Sequence, residues 1–344
     1  MMTKQSRKEL TPEKALVTGG GGFLGRAIVR RLIERGDDVR SLARNFYPEL
    51  EEMGVDQVQG NISDFDRVLK VCDDREVIFH VAAKPPPWGT YDDYFQTNVV
   101  GTQNVVDACL QCRTPRLVYT STPSVIFNGD DLKGIDESFP YPKKYNAYYP
   151  MTKAMAEQRV VKATRQALKA IILRPHEIWG PEDPHFVPRL LARANNLKQI
   201  GDGKNLVDTI YIDNAAEAHI LAADKLKENP QLTGKIYFIS QDEPIPAWDM
   251  INAILKAAGC GPVKGRIPFR VAWLIGALLE FVYKTFHMSG EPQMTRFLAE
   301  AVATSHWFDI SAAKKDLGYQ PNVSTAEGLK RLEKWLTKQH EYKF

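Results

Sequence analysis

The chain has 344 residues, 44% of them hydrophobic and 25% charged, enough to bury one large core or two interlocked ones. Forty-five basic against forty-two acidic side chains leave a formal net charge of +3, too little for the broad basic footprint of a nucleic-acid binder. Residues 1–14 are charged and hold no apolar signal core, and the only cysteines are Cys72, Cys109, Cys112 and Cys260, which suits a reducing, cytoplasmic compartment.

Residues 15–18 (ALVT) form a short apolar run that predicts a strand, followed by glycines and a helical pattern over 23–35 that stops at Gly36. Strand-like runs follow at 39–43, 55–59 and 77–81. A long helical pattern then covers about 91–112, followed by a strand at 117–121, a helix over about 147–167 and a strand at 170–174. Apolar strands alternating with helices predict an α/β fold, a doubly wound parallel sheet with crossover helices on both faces. Prolines at 175, 181, 184 and 188 break the rhythm, and segments 205–223 and 235–240 are expected to return to the main sheet.

Cys109 and Cys112 make one CxxC without a second pair or a histidine at zinc spacing. No metal site is expected, and both read as small core residues. Residues 271–283 (VAWLIGALLEFVY) are apolar apart from Glu280, with Arg266 and Arg270 before them. They fall short of the roughly 20 residues of a spanning helix. A buried helix, or a lid over an apolar pocket, is the preferred reading; a surface-lying segment in contact with a membrane is the alternative.

The run 18–25 (TGGGGFLG) ends a strand and opens a helix. In that context Gly19 permits a tight turn, Gly22 lets the backbone approach a pyrophosphate and Gly25 lets the helix pack close to the strand. The helix start at Phe23, Leu24 and Gly25 offers free N–H groups and a partial positive charge to phosphates. Residues 11–180 and 205–240 are therefore assigned to a dinucleotide-binding Rossmann domain, and 181–204 and 241–335 to a smaller substrate-binding cap. An acid closing the second strand would hold the ribose hydroxyl of NAD, but Ala43 stands there with Arg44 after it. That pair favours NADPH over NADH, unless Arg44 is merely a solvated surface residue.

Tyr149 and Lys153 lie four apart, one helical turn, on one face. A neighbouring ammonium is expected to lower the phenol pKa and fit Tyr149 for moving a proton, while Lys153 can also hydrogen-bond a ribose. The hydroxyls of 119–124 (YTSTPS) end a strand at the carboxyl edge of the sheet, where ligands bind in such folds.

On these residues the chain resembles the extended short-chain dehydrogenases/reductases, in the 3β-hydroxysteroid dehydrogenase branch. The family's glycines match Gly19, Gly22 and Gly25, its catalytic pair matches Tyr149 and Lys153, and its structural asparagine matches Asn98. Its catalytic serine falls on Thr122, with Ser121 and Ser124 as competitors, and Asn61 stands where an adenine-contacting Asp is usual. The resemblance implies cofactor contacts at Asn61, Ile62, Ala82, Pro175 and Ile178 as well.

Segments 88–89 (WG), 98–109 (NVVGTQNVVDAC), 119–125 (YTSTPSV), 178–181 (IWGP), 205–216 (NLVDTIYIDNAA) and 238–244 (FISQDEP) are similar to the bacterial 2-alkyl-3-oxoalkanoate reductase subgroup of long-chain olefin biosynthesis. That similarity implies NADPH-dependent reduction of a lipid-like 3-oxo acid to the 3-hydroxy acid, a β-lactone-forming olefin-pathway partner and a homodimer. Lys84, His176 and Arg189 are candidates to receive the substrate carboxylate. A 3β-hydroxy-4-carboxysterol dehydrogenase is the nearest rival, since its substrate presents the same reacting atoms. A nucleotide-sugar epimerase and a non-catalytic NADPH sensor rank below it.

Overall fold

The computed structural model describes residues 12–86 and 88–341; the segment 1–11, read above as lacking an export signal, lies outside the described residues. The apolar runs pair as one parallel sheet of seven strands: β1 (Lys14–Thr18), β2 (Asp38–Ala43), β3 (Asp56–Gln59), β4 (Val77–His80), β5 (Arg116–Thr120), β6 (Ala170–Pro175) and β7 (Ile236–Ile239). Their order is β7-β6-β5-β4-β1-β2-β3. The chain order reverses at β1, between β2 and β4, and ligands bind at the carboxyl ends of strands beside such a reversal.

Alternation along the strands explains why both faces are covered. Ala15 and Val17 of β1 and Val77 and Phe79 of β4 join one buried cluster, whereas Leu16 and Ile78 join the other. Successive side chains of a strand point to opposite faces. The first cluster takes Ile28 and Leu32 of α1 (Phe23–Arg35); the second takes Val105 and Cys109 of α2 (Gly101–Gln111) and Ala156 and Val160 of α3 (Tyr148–Thr164). Cys72 lies in that second cluster with Cys109, and Cys112 is half-buried at its edge.

Three features depart from the sequence reading. The helix expected over about 91–112 is interrupted: an α-turn at Tyr91–Tyr94 passes through a π-helical stretch at Phe95–Val100 before α2. Segment 205–223 does not supply a strand to the main sheet. Leu206–Val207 pairs with Ile245–Pro246 and with His306–Phe308 in a separate four-stranded sheet, held there by the Asn205 amide on the carbonyls of Val302 and Thr304. Only the following helix α4 (Ile212–Glu228) packs against the main layer, beside α1, while 236–239 joins the sheet as expected.

The third departure concerns 271–283. This segment lies in helix α5 (Phe269–Thr285), but its inward face is Ala272, Gly276 and Glu280. A Cβ on Gly276 would stand 2.6 Å from the backbone of Thr295. Close backbone approach therefore sets which face is buried, and the large apolar residues Leu274, Leu278 and Phe281 face outward.

Candidate active site

The glycine turn sits where β1 meets α1. Gly19 has φ +74°, and a Cβ there would meet the Ala82 backbone at 3.0 Å. Gly25 is tighter still, since its Cβ would lie 2.1 Å from the Gly19 carbonyl oxygen. Gly22 caps α1 with no side-chain hydrogen bond, and the first turn holds no acid. Among the described residues no side chain caps the first turn that Phe23, Leu24 and Gly25 open, and an uncapped helix start of this kind can receive an anion. The Tyr47 ring lies over Gly21 and would overlap any Cβ there.

Around this turn, Ala43 ends β2 without an acid, and Arg44 is exposed with no ion pair among the described residues. Asn61 is exposed, and its side-chain oxygen accepts from the Ser63 amide at 3.1 Å. Ile62 is buried beneath Gly101, and its carbonyl accepts from Asn104 at 2.9 Å. Ala82 follows β4, and its amide donates to the Thr18 hydroxyl. Across the crevice, Pro175 ends β6 and Ile178 opens the short strand Ile178–Trp179. Between them Glu177 is held at φ +46°, a conformation uncommon for a non-glycine residue and enriched at functional sites.

Tyr149 lies in the first turn of α3, half-buried, with the Thr122 hydroxyl as its hydrogen-bonding neighbour. Of the three hydroxyls after β5, Thr122 is thus the one set against the phenol. Ser124 lies behind it, its hydroxyl 3.2 Å from Thr122 Oγ1, and Ser121 is buried with its hydroxyl unpartnered. Burial pushes the Tyr149 phenol up to about 12; the Thr122 hydroxyl opposes the rise and the Glu177 carboxylate adds to it. The expected lowering by Lys153 does not act on the phenol, and the Lys153 amine is engaged on β5.

Lys153 Nζ donates to Tyr119 Oη at 2.9 Å and to the Thr120 carbonyl at 2.7 Å, and it lies over the Tyr119 ring. Two of its three donors are spent on β5. Behind it stands an internal polar chain. His80 joins Thr18 Oγ1 at 2.7 Å and Thr102 Oγ1 at 3.0 Å, and Thr102 in turn meets Tyr119. Burial, with the Lys153 charge, pushes His80 down to about 3, so its imidazole is neutral. Asn98, in the π-helical stretch, donates to Thr152 Oγ1 at 3.2 Å and accepts from the Lys84 amide at 2.8 Å. It thereby ties α3 to the loop after β4.

Burial also lowers the Lys153 amine from 10.5 to about 7, against the opposing charge of Glu157. Between those two values the unfolded chain keeps the proton that the folded chain has released. Stability should therefore rise with pH across that window on account of this group. Lys153→Met should flatten the rise, which denaturant unfolding of both proteins at about pH 7 and about pH 9.5 would measure. Parallel curves would mean that the buried amine stays charged.

The three carboxylate candidates differ in their engagements. Lys84 reaches Asp93 at 3.5 Å and is part-exposed. Arg189 is bound more closely, to Glu291 at 2.9 Å and to the Pro86 carbonyl. His176 Nδ1 bonds the Asp208 carbonyl at 2.7 Å, and its ring packs edge-on against His306 and Phe308.

Residues 16–270 match the 3-beta hydroxysteroid dehydrogenase/isomerase family. The chain belongs to that family. It is 49% identical over 329 residues to the 2-alkyl-3-oxoalkanoate reductase of Shewanella oneidensis, covering 93% of this chain and 85% of that protein. It is 47% identical over 325 residues to the enzyme of the same name from Stenotrophomonas maltophilia, covering 93% and 98%. The sterol-4-alpha-carboxylate 3-dehydrogenase of Mus musculus is 32% identical over 326 residues, covering 93% and 90%. Among solved structures, the UDP-glucuronic acid 4-epimerase from Bacillus cereus in complex with NAD superposes with a TM-score of 0.72 at 22% identity, covering 95% and 99%. That likeness concerns the fold.

As a member of the 3-beta hydroxysteroid dehydrogenase/isomerase family, with reductases and dehydrogenases as relatives, the chain is an NAD(P)-dependent oxidoreductase acting on a small molecule. Three residues at this site, His80, Glu177 and Tyr47, went unread in the sequence, and Tyr119 was read only as one of the hydroxyls of 119–124. His80 looks like an ordinary strand residue, and pairings 62 and 34 positions apart reveal its role and the tie from Tyr119 to Lys153. Glu177 is marked only by its backbone angle, and Tyr47 only by its place over Gly21.

Proposed function

We propose that this chain reduces a 2-alkyl-3-oxoalkanoate to the 2-alkyl-3-hydroxyalkanoate, with NADPH as hydride source and Tyr149 as proton donor. One observation carries the reading: the Thr122 hydroxyl and Tyr149 phenol meet at the carboxyl edge of the sheet, in a chain nearly half identical to two reductases of that name. The uncapped helix start at Phe23, Leu24 and Gly25 and the close approach at Gly19 fit a dinucleotide pyrophosphate. Arg44, exposed beside Ala43 and without an ion pair among the described residues, fits a 2′-phosphate. When bound, the reduced nicotinamide supplies the hydride.

The chain's own residues do the rest. Thr122 Oγ1 and Tyr149 Oη hold the 3-oxo oxygen, and Tyr149 passes its proton to that oxygen as the alkoxide develops. A phenol pushed up to about 12 is protonated at neutral pH, the state from which a proton donor must start. The third donor of Lys153 is available to a ribose hydroxyl, and Asn98 holds the turn of α3 that carries Tyr149 and Lys153. For the substrate carboxylate, Lys84 is the better candidate of the two cations, since its contact with Asp93 is the looser. On this reading the hydroxy acid passes to a β-lactone-forming partner, and a second copy covers the groove between α2 and α3 lined by Val106, Leu110 and Met155.

The test follows absorbance at about 340 nm, the reduced nicotinamide band, with NADPH or NADH and a long-chain 2-alkyl-3-oxo acid. Rapid consumption of NADPH is expected, and Arg44→Ala should raise KM for NADPH about tenfold or more while leaving KM for NADH within about twofold. Equal effects on both would remove Arg44 from the phosphate site. Oxidation of a 4-carboxysterol by NAD, with no turnover of the keto acid, would transfer the assignment to the sterol dehydrogenases.

A further inference from the structure

His80, the last residue of β4, is a fully buried titratable side chain that the proton transfer above does not use. Among the described residues its ring nitrogens meet two hydroxyls and no carboxylate: Thr18 Oγ1 at 2.7 Å and Thr102 Oγ1 at 3.0 Å. The bonds around it decide which nitrogen carries the hydrogen. Thr18 Oγ1 already accepts from the amides of Val81 and Ala82, at 3.2 and 3.3 Å. A hydroxyl has two acceptor lone pairs and one proton. With both lone pairs taken, the Thr18 proton is the group left to meet His80 Nδ1. Nδ1 is then an acceptor, and in a neutral ring the hydrogen sits on Nε2.

The same count continues along the chain of bonds. Nε2–H donates to Thr102 Oγ1, which leaves the Thr102 proton for Tyr119 Oη, its other partner. Tyr119 Oη thus accepts from Thr102 on one side and from Lys153 Nζ, at 2.9 Å, on the other. Each link from Thr18 to Tyr119 donates in one direction, toward the oxygen on which the lysine rests. The chain has no outlet. Thr18, His80, Thr102 and Tyr119 are each no more than 1% exposed, and the far end closes on peptide N–H groups that release no proton at working pH. A closed, fully satisfied network fixes positions rather than moving protons. Its closing amides belong to the loop against which the glycine turn packs, where a Cβ on Gly19 would lie 3.0 Å from Ala82 Cα.

We propose that Thr18, the Nε2–H tautomer of His80, Thr102 and Tyr119 form a positioning chain of fixed polarity, which gives Lys153 a permanent acceptor and ties its amine to the glycine turn. With two Lys153 donors held by Tyr119 Oη and the Thr120 carbonyl, the direction of the third is set. His80 and Thr102 are positioning residues that act through Tyr119. A charged imidazole would donate from both nitrogens and turn the Thr18 proton away, so the chain requires a neutral ring. This role rests on Lys153 belonging to the proton-handling pair and holds whichever acid or sterol the site converts.

The first measurement is a nitrogen–proton correlation spectrum of the full-length protein with ring-labelled histidine, the His80 signals assigned by their loss in His80→Gln. His80 is expected as Nε2–H, unchanged between about pH 5.5 and about pH 8, where an ordinary histidine titrates. An Nδ1–H tautomer, or a ring that titrates in that range, would overturn the proposal. The second measurement compares Thr102→Val, which keeps the shape and removes the hydroxyl, with Thr102→Ser, which keeps the hydroxyl. Rates are read on the substrate that the parent turns over, the 3-oxo acid with NADPH or the 4-carboxysterol with NAD. Thr102→Val should lower kcat about 10- to 100-fold, as a small misplacement near the chemistry does, with KM for that substrate within about twofold. Thr102→Ser should keep kcat within about threefold of the parent. Equal losses in the two variants, a full rate in Thr102→Val or a loss confined to KM would each overturn the proposal. The spectrum needs no turnover, so it decides the chain even where the substrate reading fails.

Discussion

Tyr149→Phe is expected to lower turnover of the 3-oxo acid by about 10²- to 10⁴-fold, the usual worth of a positioned general acid, while cofactor binding persists. The substitution removes one oxygen and keeps the ring, whose neighbour Tyr94 lies at 6.3 Å between centroids. Packing of α3 on the sheet is thus retained. The glycine turn belongs to other elements and does not touch the phenol. Steady-state rates, together with a fluorescence titration of reduced cofactor, separate the two effects. Unchanged turnover would remove Tyr149 from the proton transfer and direct attention to Thr122. Loss of turnover together with cofactor affinity would make the residue structural.

Gly25→Ala is expected to weaken cofactor binding by about 100-fold or more, because the added carbon has nowhere to go. It would stand 2.1 Å from the Gly19 carbonyl oxygen, 2.8 Å from that carbonyl carbon and 3.0 Å from Gly20 Cα. All three are backbone atoms of the turn itself, so relief requires α1 to lift from β1. That motion displaces the amides of Phe23 and Leu24, which open the helix. Forced overpacking of this kind typically also costs about 1–3 kcal/mol in stability. Urea unfolding and a cofactor titration on the same protein distinguish a displaced turn from a collapsed domain. Affinity within about threefold of the parent would mean that the turn relaxes freely and is not the phosphate cradle.

Much of this was legible along the chain because it depends on neighbours in sequence. The strands of the main sheet are continuous apolar runs, as parallel strands buried on both faces must be. The glycine turn, Arg44 and the Tyr149–Lys153 spacing are local patterns, and each falls beside the crevice that the strand order creates. Less could be read where local pattern and three-dimensional demand diverge. The π-helical stretch at Phe95–Val100 has no signature in apolar spacing. Strands of two residues, such as Leu206–Val207, are too short to show a period. Helix α5 reads as buried because its residues are greasy, but the partner surface at Thr295 admits only a glycine.

The sequence by itself determined the strands of the main sheet, the glycine turn and the one-turn spacing of Tyr149 and Lys153, since these are local patterns that hold wherever the rest of the chain goes. Tertiary structure alone decided how those groups are tuned. Tyr119, Thr102, His80 and Thr18 come from separate elements, and together they form the polar chain on which the Lys153 amine rests. Burial then raises the phenol and lowers the amine. Desolvation is a property of everything packed around a group, and no stretch of sequence contains it.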